Sequence, residues 1–323
     1  MVTLEATTGN KRADSALRGL IGIYEVAFPG RIHGCYVEGS HADGTGLDTS
    51  DLDLELVFKE RFASDVECEA ANRLGSACAD LSCVELDVSV VDEAGLAGGA
   101  HPLFKLASVL VYGEDIRDRV PLISIEAWTR NRMHAAYWLM NVVLGRPAPV
   151  RRPLMYPDPE DEFRGYVQRM VRLPDGREAR STRDLIRTTG WAATALIALR
   201  ARQYVARKRD CHQLYRRYIG GEHADLLEDI YIYCRQHWLY LVPDARAERE
   251  QLLAICERAL AFENDFLNTY HTYALAELRS TEEAARNAAC TMLGRLPFDD
   301  AEVMEEVRRA AGVGTAASTV DAG

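Results

Sequence analysis

The chain has 323 residues, of which 48% are hydrophobic and 27% are charged, and its formal net charge is −11. This composition is typical of a globular protein that buries sizeable cores, and the length suits two domains of ordinary size. The excess of acidic residues argues against a protein that coats nucleic acid with a general basic surface, and it favours small or cationic partners.

The first third of the chain alternates between helical and strand-like patterns. Apolar residues recur at helical spacing up to Pro29-Gly30, and shorter runs with period-2 alternation follow. A loop rich in Gly, Thr and Asp comes after the pair Gly39-Ser40. The predicted elements are a helix over residues 13–28, strands over 31–38, 51–58 and 83–91, and a helix over 63–81.

After residues 117–122 the strand-like alternation nearly vanishes and long helical patterns take over. We expect helices over residues 124–144, 182–205, 223–238, 247–278 and 281–293, with a five-proline loop over 146–162. These patterns predict an α+β protein with a small mixed sheet in its first domain and a helical bundle in its second. The predicted division is residues 1–118, 119–311 and a flexible tail over 312–323.

The remaining bulk signals concern the compartment. The eight cysteines show no C-x-x-C spacing, and several stand in apolar runs, so we expect reduced core residues. The N-terminal sequence lacks the apolar stretch of a signal peptide, and no window reaches the roughly 18 apolar residues of a membrane span. We therefore expect a cytoplasmic protein that does not bind a membrane.

The strand over residues 51–58 carries a row of acids. Alternate side chains of a strand share a face, so Asp51, Asp53 and Glu55 point to one side. Asp87 stands between apolar residues in the next strand and joins the same face if the two strands pair. Three neighbouring carboxylates repel one another, and divalent cations such as Mg²⁺ relieve that repulsion. The pattern favours a two-metal site formed by Asp51, Asp53 and Asp87.

An ordinary half-buried strand also alternates apolar and charged residues, so D-x-D by itself does not require a metal. The pair Gly39-Ser40 at the end of the preceding strand adds a second signal. Glycine lets the backbone approach a phosphate, and the serine hydroxyl and the neighbouring N–H groups bind its oxygens.

Taken together, Gly39-Ser40, a ten-residue spacer, Asp51-Leu52-Asp53 and the later Asp87 resemble the nucleotidyltransferase superfamily that includes DNA polymerase beta. The resemblance implies a nucleotidyltransferase catalytic domain with two Mg²⁺ ions and ATP or another nucleoside triphosphate as substrate. It also implies that Ser50 helps to bind phosphate.

Within that superfamily the chain most resembles the antibiotic nucleotidyltransferases, especially aminoglycoside adenylyltransferases. The segment Leu110–Ile116 is similar to the exit from their catalytic domain, and the helix over residues 182–205 with the basic residues after it is similar to their bundle helix and lysine. This resemblance implies that Lys208, with Arg187 behind it, contacts the triphosphate. Lys208 belongs to a basic segment, since the stretch from Arg200 to Arg217 holds seven basic residues against one acid. A solvated helix face is the alternative interpretation of that stretch.

The acceptor is less well defined by the sequence. The family often uses a glutamate to take the proton from the attacking hydroxyl, and the candidates here are Glu55, Glu85 and the acids of the proline-rich loop. Those loop acids, Asp158, Glu160, Asp161 and Glu162, would also attract a cationic aminosugar. An exposed acidic loop without a catalytic role is the alternative.

Our hypothesis is that a hydroxyl of a small acceptor attacks the α-phosphate of a nucleoside triphosphate and pyrophosphate leaves. One alternative keeps this chemistry but transfers the nucleotide to tRNA, a protein or a second nucleotide. A broad exposed groove of the basic residues would favour it, whereas a closed pocket with acidic walls would favour a small cation. A catalytically inactive nucleotide-binding module is the other alternative.

Overall fold

The computed structural model describes residues 2–47, 49–173 and 175–317 of the protein. These residues form two compact units. The first unit consists of Met1–Ser124, Leu173–Gly176 and Tyr204–Asp210, and the second contains the rest of the described chain. The predicted α+β class is confirmed, because a small mixed sheet lies in the first unit and the second is largely helical.

The first unit contains four strands and five helices among the described residues. The two longest of these helices begin at side-chain caps, since Asn10 accepts from the backbone N–H groups of Arg12 and Ala13, and Ser64 accepts from that of Glu67. The elements are α1 (Lys11–Ala27), β1 (Ile32–Val37), α2 (Gly39–Ala42), β2 (Leu52–Phe58), α3 (Asp65–Leu81), β3 (Leu86–Asp92), α4 (Glu93–Leu96), α5 (Pro102–Ala107) and β4 (Val109–Gly113).

The four strands form one sheet in the order β3-β2-β1-β4. Strand β1 runs antiparallel to both of its neighbours, β2 and β4, whereas β2 and β3 are parallel. A parallel pair requires a crossover connection, and α3 supplies it here. This crossover brings the second and third predicted strands side by side.

The two faces of the sheet bury different residues. Leu52, Leu54 and Leu56 of β2 belong to one core with residues of α1 and α3, while Val57 belongs to a second core that contains Phe104 of α5. Because side chains alternate along a strand, Asp53 and Glu55 share the face of Val57. The acidic row therefore lies on the face of the sheet opposite α1 and α3.

The second unit is built on helices, with α10 as the longest. Its interior contains a stack of three aromatic rings, in which the centroid of Tyr137 lies 4.2 Å from that of Tyr270 and 5.2 Å from that of Phe298. The elements are α6 (Ile125–Val142), the hairpin β5 (Met170–Arg172) and β6 (Glu178–Arg180), α7 (Arg183–Ala201), α8 (Cys211–Tyr218), α9 (His223–Asp229), a π-helix (Ile230–His237), α10 (Arg246–Leu278), α11 (Glu283–Arg295) and α12 (Ala301–Ala317).

Several details of this unit differ from the sequence-based prediction. The helix expected over residues 223–238 changes to π-helical geometry at Ile230. The hairpin was not predicted, because strands of three residues are too short to show alternation. Helix α12 continues through Ala317, whereas we expected a tail from residue 312; residues 318–323 lie outside the described part. No helix among the described residues has the length and apolar character needed to cross a lipid bilayer.

Candidate active site

The three predicted metal ligands lie at the start of two paired strands. In the parallel register of β2 and β3, Asp53 stands directly opposite Asp87. Asp51 directly precedes β2. It lies two positions before Asp53, the spacing at which side chains of an extended strand share a face. Asp87 is exposed, whereas the side chain of Asp53 is only 18% exposed. The register thus brings two carboxylates from distant parts of the sequence to neighbouring positions.

Gly39 lies against this pair. Its φ is +64°, in the left-handed region that glycine adopts without steric cost, and a Cβ atom there would stand 2.3 Å from Oδ2 of Asp53. The backbone N–H of Glu38 also donates to the carbonyl oxygen of Asp53 at 2.9 Å. Only glycine therefore fits at residue 39 with the Asp53 side chain in its present place.

The segment after Gly39 forms the short helix α2, where the sequence analysis had placed a loop. Ser40 is in its first turn, and the Ser40 carbonyl accepts from the N–H of Thr45 at 2.9 Å. Ser50 is buried, and its hydroxyl accepts from the N–H of Leu47 at 2.9 Å. The Ser50 hydroxyl thus closes the loop, and its contact with a phosphate stays a prediction.

Lys208 is the cation beside Asp53. The residues from Tyr204 to Asp210 belong to the first unit, and Nζ of Lys208 lies 3.2 Å from Oδ2 of Asp53. Asp43 anchors this segment, since its carboxylate lies 2.9 Å from Nε of Arg207 and 3.8 Å from Nε of Arg209. The Lys208 side chain is 58% exposed, so its ammonium also faces solvent.

Arg187, the other predicted phosphate ligand, is an exposed residue of α7 in the second unit. No ion pair of Arg187 occurs among the described residues. Its contact with a nucleotide stays a prediction.

Burial, two neighbouring acids and one lysine determine the pKa of Asp53. Burial raises the pKa of Asp53, and the neighbouring Asp51 and Asp87 raise it further, while Lys208 lowers it. Each of these causes except Lys208 disfavours the carboxylate. Asp53 thus has one cation, the partly exposed Lys208, and two acids acting on its pKa among the described residues.

Two further acids extend the row toward α5. Glu38 and Glu55 are buried, and His101 lies with its Nε2 3.7 Å from a carboxylate oxygen of each. The backbone N–H of Phe104 donates to Nδ1 of His101 at 3.2 Å, so in the neutral ring Nε2 carries the proton. Both of the 3.7 Å distances exceed the length of a hydrogen bond, so His101 is a close neighbour of the two carboxylates and not their hydrogen-bond donor. The ligand atoms of Glu38, Glu55 and His101 lie within 4.8 Å of one another, which is close enough for them to share a metal ion.

Glu38 was missed by the sequence analysis. Its Oε1 is buried and accepts no hydrogen bond in the described part of the chain. Burial raises the pKa of Glu38 to about 7; His101 opposes this shift, and Glu55 and Asp53 add to it. The available signal was a charged residue at the end of a strand whose six residues are all buried.

The other candidate acids and bases have mostly structural partners. In the second unit, Asp161 pairs with Arg180 at 2.7 Å and Glu162 pairs with Arg249. Glu85 is exposed and precedes β3. Several cations of the basic stretch also form ion pairs, and their partners are Glu126 for Arg202, Asp43 for Arg207 and Arg209, Asp53 for Lys208, and Asp225 and Glu228 for Arg216.

The donor set at β2 and β3 has the chemistry that a divalent cation prefers, while the group of described side chains near this site whose ligand atoms lie within 4.8 Å of one another is Glu38, Glu55 and His101. Asp51, Asp53 and Asp87 supply hard oxygen atoms, which Mg²⁺ prefers. Burial is the largest cause of the raised pKa of Asp53, and repulsion from Asp51 and Asp87 adds to it; a bound cation would favour the carboxylate against both.

No family model matches this chain, and no curated protein does. Among solved structures, a spectinomycin adenyltransferase from Enterococcus faecialis, determined with ATP and spectinomycin, is 13% identical with a TM-score of 0.43. That similarity covers 77% of this chain and 98% of the other. A candidate nucleotidyltransferase from Sulfolobus solfataricus is 25% identical with a TM-score of 0.21, over 31% of this chain and 86% of the other. Because both TM-scores are low, we draw the functional proposal from the geometry of the site alone.

Proposed function

We propose that the protein is a Mg²⁺-dependent nucleotidyltransferase. It transfers a nucleoside monophosphate, AMP from ATP, to a hydroxyl of a small acceptor such as an aminoglycoside antibiotic, and it releases pyrophosphate. The observation that carries the proposal is the pairing of Asp53 with Asp87 across parallel strands, directly beneath a glycine that has no room for a side chain.

Asp51, Asp53 and Asp87 would hold the Mg²⁺ ions. When bound, divalent cations at such a site stabilise the negative charge that develops on the phosphoryl oxygens during transfer. Asp53 lies opposite Asp87 and two residues from Asp51. Substitution of Asp53 is therefore the most direct test of the metal site.

The residues above the carboxylates are suited to phosphate. The first N–H groups of a helical turn have no partner within the turn, and α2 begins at Gly39 next to Asp53. Ser40 adds a hydroxyl in the same turn. Lys208 supplies a mobile, partly exposed positive charge beside Asp53, and it would stabilise the departing pyrophosphate.

The acidic row also bears on the acceptor. Glu38 and Glu55 continue the negative face beyond Asp53, and this favours a cationic acceptor such as an aminosugar. Glu55 and Glu85 are the candidate bases that lie on or beside the metal-binding strands. Arg207, Arg209 and Arg216 form ion pairs with acids of the protein, so their charges are already compensated. This supports a small acceptor over a polymer bound to a basic groove.

The test is a transfer assay with labelled nucleoside triphosphates, Mg²⁺ and a panel of aminoglycosides, nucleotides and tRNA. We expect pyrophosphate release that requires one class of acceptor. The variant Asp53→Asn should lose activity by about a thousandfold or more, which corresponds to about 4 kcal/mol of transition-state stabilisation. Asp80→Asn, an exposed acid on α3, is the matched control and should keep full activity.

A folded Asp53→Asn variant with wild-type activity would refute the proposal. If only tRNA or a second nucleotide is labelled, the acceptor is not a small molecule such as an aminoglycoside but belongs to the alternative class. Absence of Mg²⁺-dependent nucleotide binding in calorimetry would favour an inactive module.

A further inference from the structure

Arg132, on α6 of the second unit, has an unusual environment for a charged residue. Its guanidinium carbon lies 4.3 Å from the ring centroid of Trp128, one turn earlier on the same helix. It lies 4.0 Å from the ring centroid of Trp191 on α7. The guanidinium is therefore in contact with two indole rings contributed by two packed helices.

No acid neutralises this guanidinium. The described residues provide no ion pair for Arg132. Its Nε and Nη2 both donate to the side-chain amide oxygen of its neighbour Asn131, Nε at a distance of 3.1 Å. Burial lowers the pKa of Arg132 to about 10, and no carboxylate offsets that effect. At neutral pH the side chain is still a cation.

Two other arginines of the second unit, Arg130 and Arg146, are paired with acids. Nε of Arg130 lies 2.8 Å from Glu277, and Nη2 of Arg146 lies 2.6 Å from Glu263. Partial burial of a charge is costly unless an opposite charge or hydrogen bonds compensate. The indole rings compensate only in part, since the face of an aromatic ring carries only a partial negative charge.

The unpaired edge of the guanidinium is suited to an anion. Nη1 of Arg132 donates to no described residue and is not fully buried. Arginine presents parallel N–H groups that match the two oxygens of a carboxylate or a phosphoryl group. Contact with two rings holds the guanidinium plane in place, which lowers the entropy lost on binding.

A second cation stands on the same face of α7. Arg187 is four residues before Trp191, and residues at this spacing are neighbours on a helix surface. Arg187 is exposed and has no acid partner in the described part of the chain. Arg132 and Arg187 thus bring two uncompensated positive charges to the surroundings of one indole.

We propose that Arg132 is the anchor of an oxyanion-binding site on the second unit, which takes a phosphoryl or carboxylate group of a small molecule and uses Arg187 as its second cation. This role of Arg187 is an alternative to its predicted contact with a nucleoside triphosphate, and the site depends on neither Asp53 nor a metal ion. A failure of nucleotidyl transfer would leave it untouched.

The experiment is a titration of the full chain with inorganic phosphate or acetate in the presence of a chelator, at constant ionic strength maintained with chloride. Calorimetry measures affinity and stoichiometry, and tryptophan fluorescence reports on Trp128 and Trp191. We expect saturable binding of at least one of the two probes. The better probe identifies the phosphoryl or the carboxylate group as the ligand.

The variants assign the site. Arg132→Met removes the charge, and Arg132→Lys keeps the charge but loses the planar fork, so each should weaken binding about tenfold or more. Arg187→Met should weaken it about threefold, as expected for an exposed cation. Arg295→Met is the matched control, because Arg295 is an exposed arginine 4.5 Å over Trp138, and it should bind like the wild type.

The proposal is overturned if neither probe binds, or if Arg132→Met and Arg132→Lys bind as tightly as the wild type. Circular dichroism checks the fold of each variant. If Arg132→Met does not fold, the conservative Arg132→Lys carries the comparison alone.

Discussion

The two units contain buried acids in opposite circumstances. In the second unit, Glu263 is fully buried, and its Oε2 accepts from Arg146 at 2.6 Å and from the hydroxyl of Tyr166 at 2.7 Å. Its Oε1 has no hydrogen-bond partner among the described residues, so the ion pair and not a complete set of hydrogen bonds compensates its charge. In the first unit, Asp53 faces Asp51 and Asp87, with Lys208 as its partly exposed cation. Glu263 is thus paired with a buried cation, whereas Asp53 has two other acids as close neighbours.

This difference separates structural charges from ligand-binding ones. In a buried ion pair with additional hydrogen bonds, each charge is compensated by a partner within the protein. A group of like charges, or a guanidinium with no acid as at Arg132, stores unfavourable electrostatic energy that a bound ion of opposite sign would release. We expect substitutions at the two kinds of site to have opposite effects on stability.

The largest expected effect concerns the paired acid. Arg146→Met leaves Glu263 buried without its cation and should lower the free energy of unfolding by about 3–5 kcal/mol. Urea denaturation measures the change. The double variant Arg146→Met with Glu263→Gln is the control, and it should recover much of the loss because no unpaired charge stays behind. A single variant as stable as the wild type would break the comparison.

The crowded acids should behave in the opposite way. The pKa of Glu38 is raised from 4.5 to about 7, so its folded form holds the proton more readily than the unfolded chain. Its contribution to stability is fully present below pH 4.5 and is lost as the pH rises to about 7. The difference corresponds to about 3 kcal/mol.

Glu38→Gln lacks this titration. In metal-free buffer, we expect the variant to gain stability relative to the wild type as the pH rises through that interval, measured by urea denaturation at several pH values. Glu114→Gln, at an exposed position, is the control and should follow the wild-type curve. Parallel curves for Glu38→Gln and the wild type would contradict the raised pKa of the buried Glu38.

Two glycines with the same backbone conformation test the close approach to Asp53. Gly39 and Gly44 have φ of +64° and +67°, so alanine at either position should cost about 1–2 kcal/mol of stability. A Cβ at Gly44 meets nothing within 4 Å, whereas one at Gly39 collides with Asp53. Only Gly39→Ala should also abolish most of the transferase activity. Equal activities of the two variants would show that the space above Asp53 is not used.

The smallest expected effect concerns Lys208. Lys208→Met should reduce the transfer rate about tenfold, because it removes one stabilising charge from the leaving phosphates. Stability should change little, since the pair with Asp53 is partly exposed. Lys11→Met, at an exposed lysine of α1, controls for net charge and should leave the rate unchanged. Steady-state kinetics with ATP measures both variants.

The sequence by itself determined the local part of this design. Period-2 alternation from Asp51 to Leu56 placed the acids on one face of a strand, and helical spacing predicted α1, α3 and α10 to within a few residues. These features depend on residues that are close along the chain, so their patterns are visible without the fold.

The tertiary structure decided the rest. The parallel register that sets Asp87 opposite Asp53, the approach of Lys208 from a segment 155 residues away, and the two indole rings around Arg132 all join distant parts of the chain. Glu38 likewise differs from an ordinary strand-end acid only through the burial that neighbouring elements impose. Such contacts follow from packing and strand pairing, and neither has a period that the sequence displays.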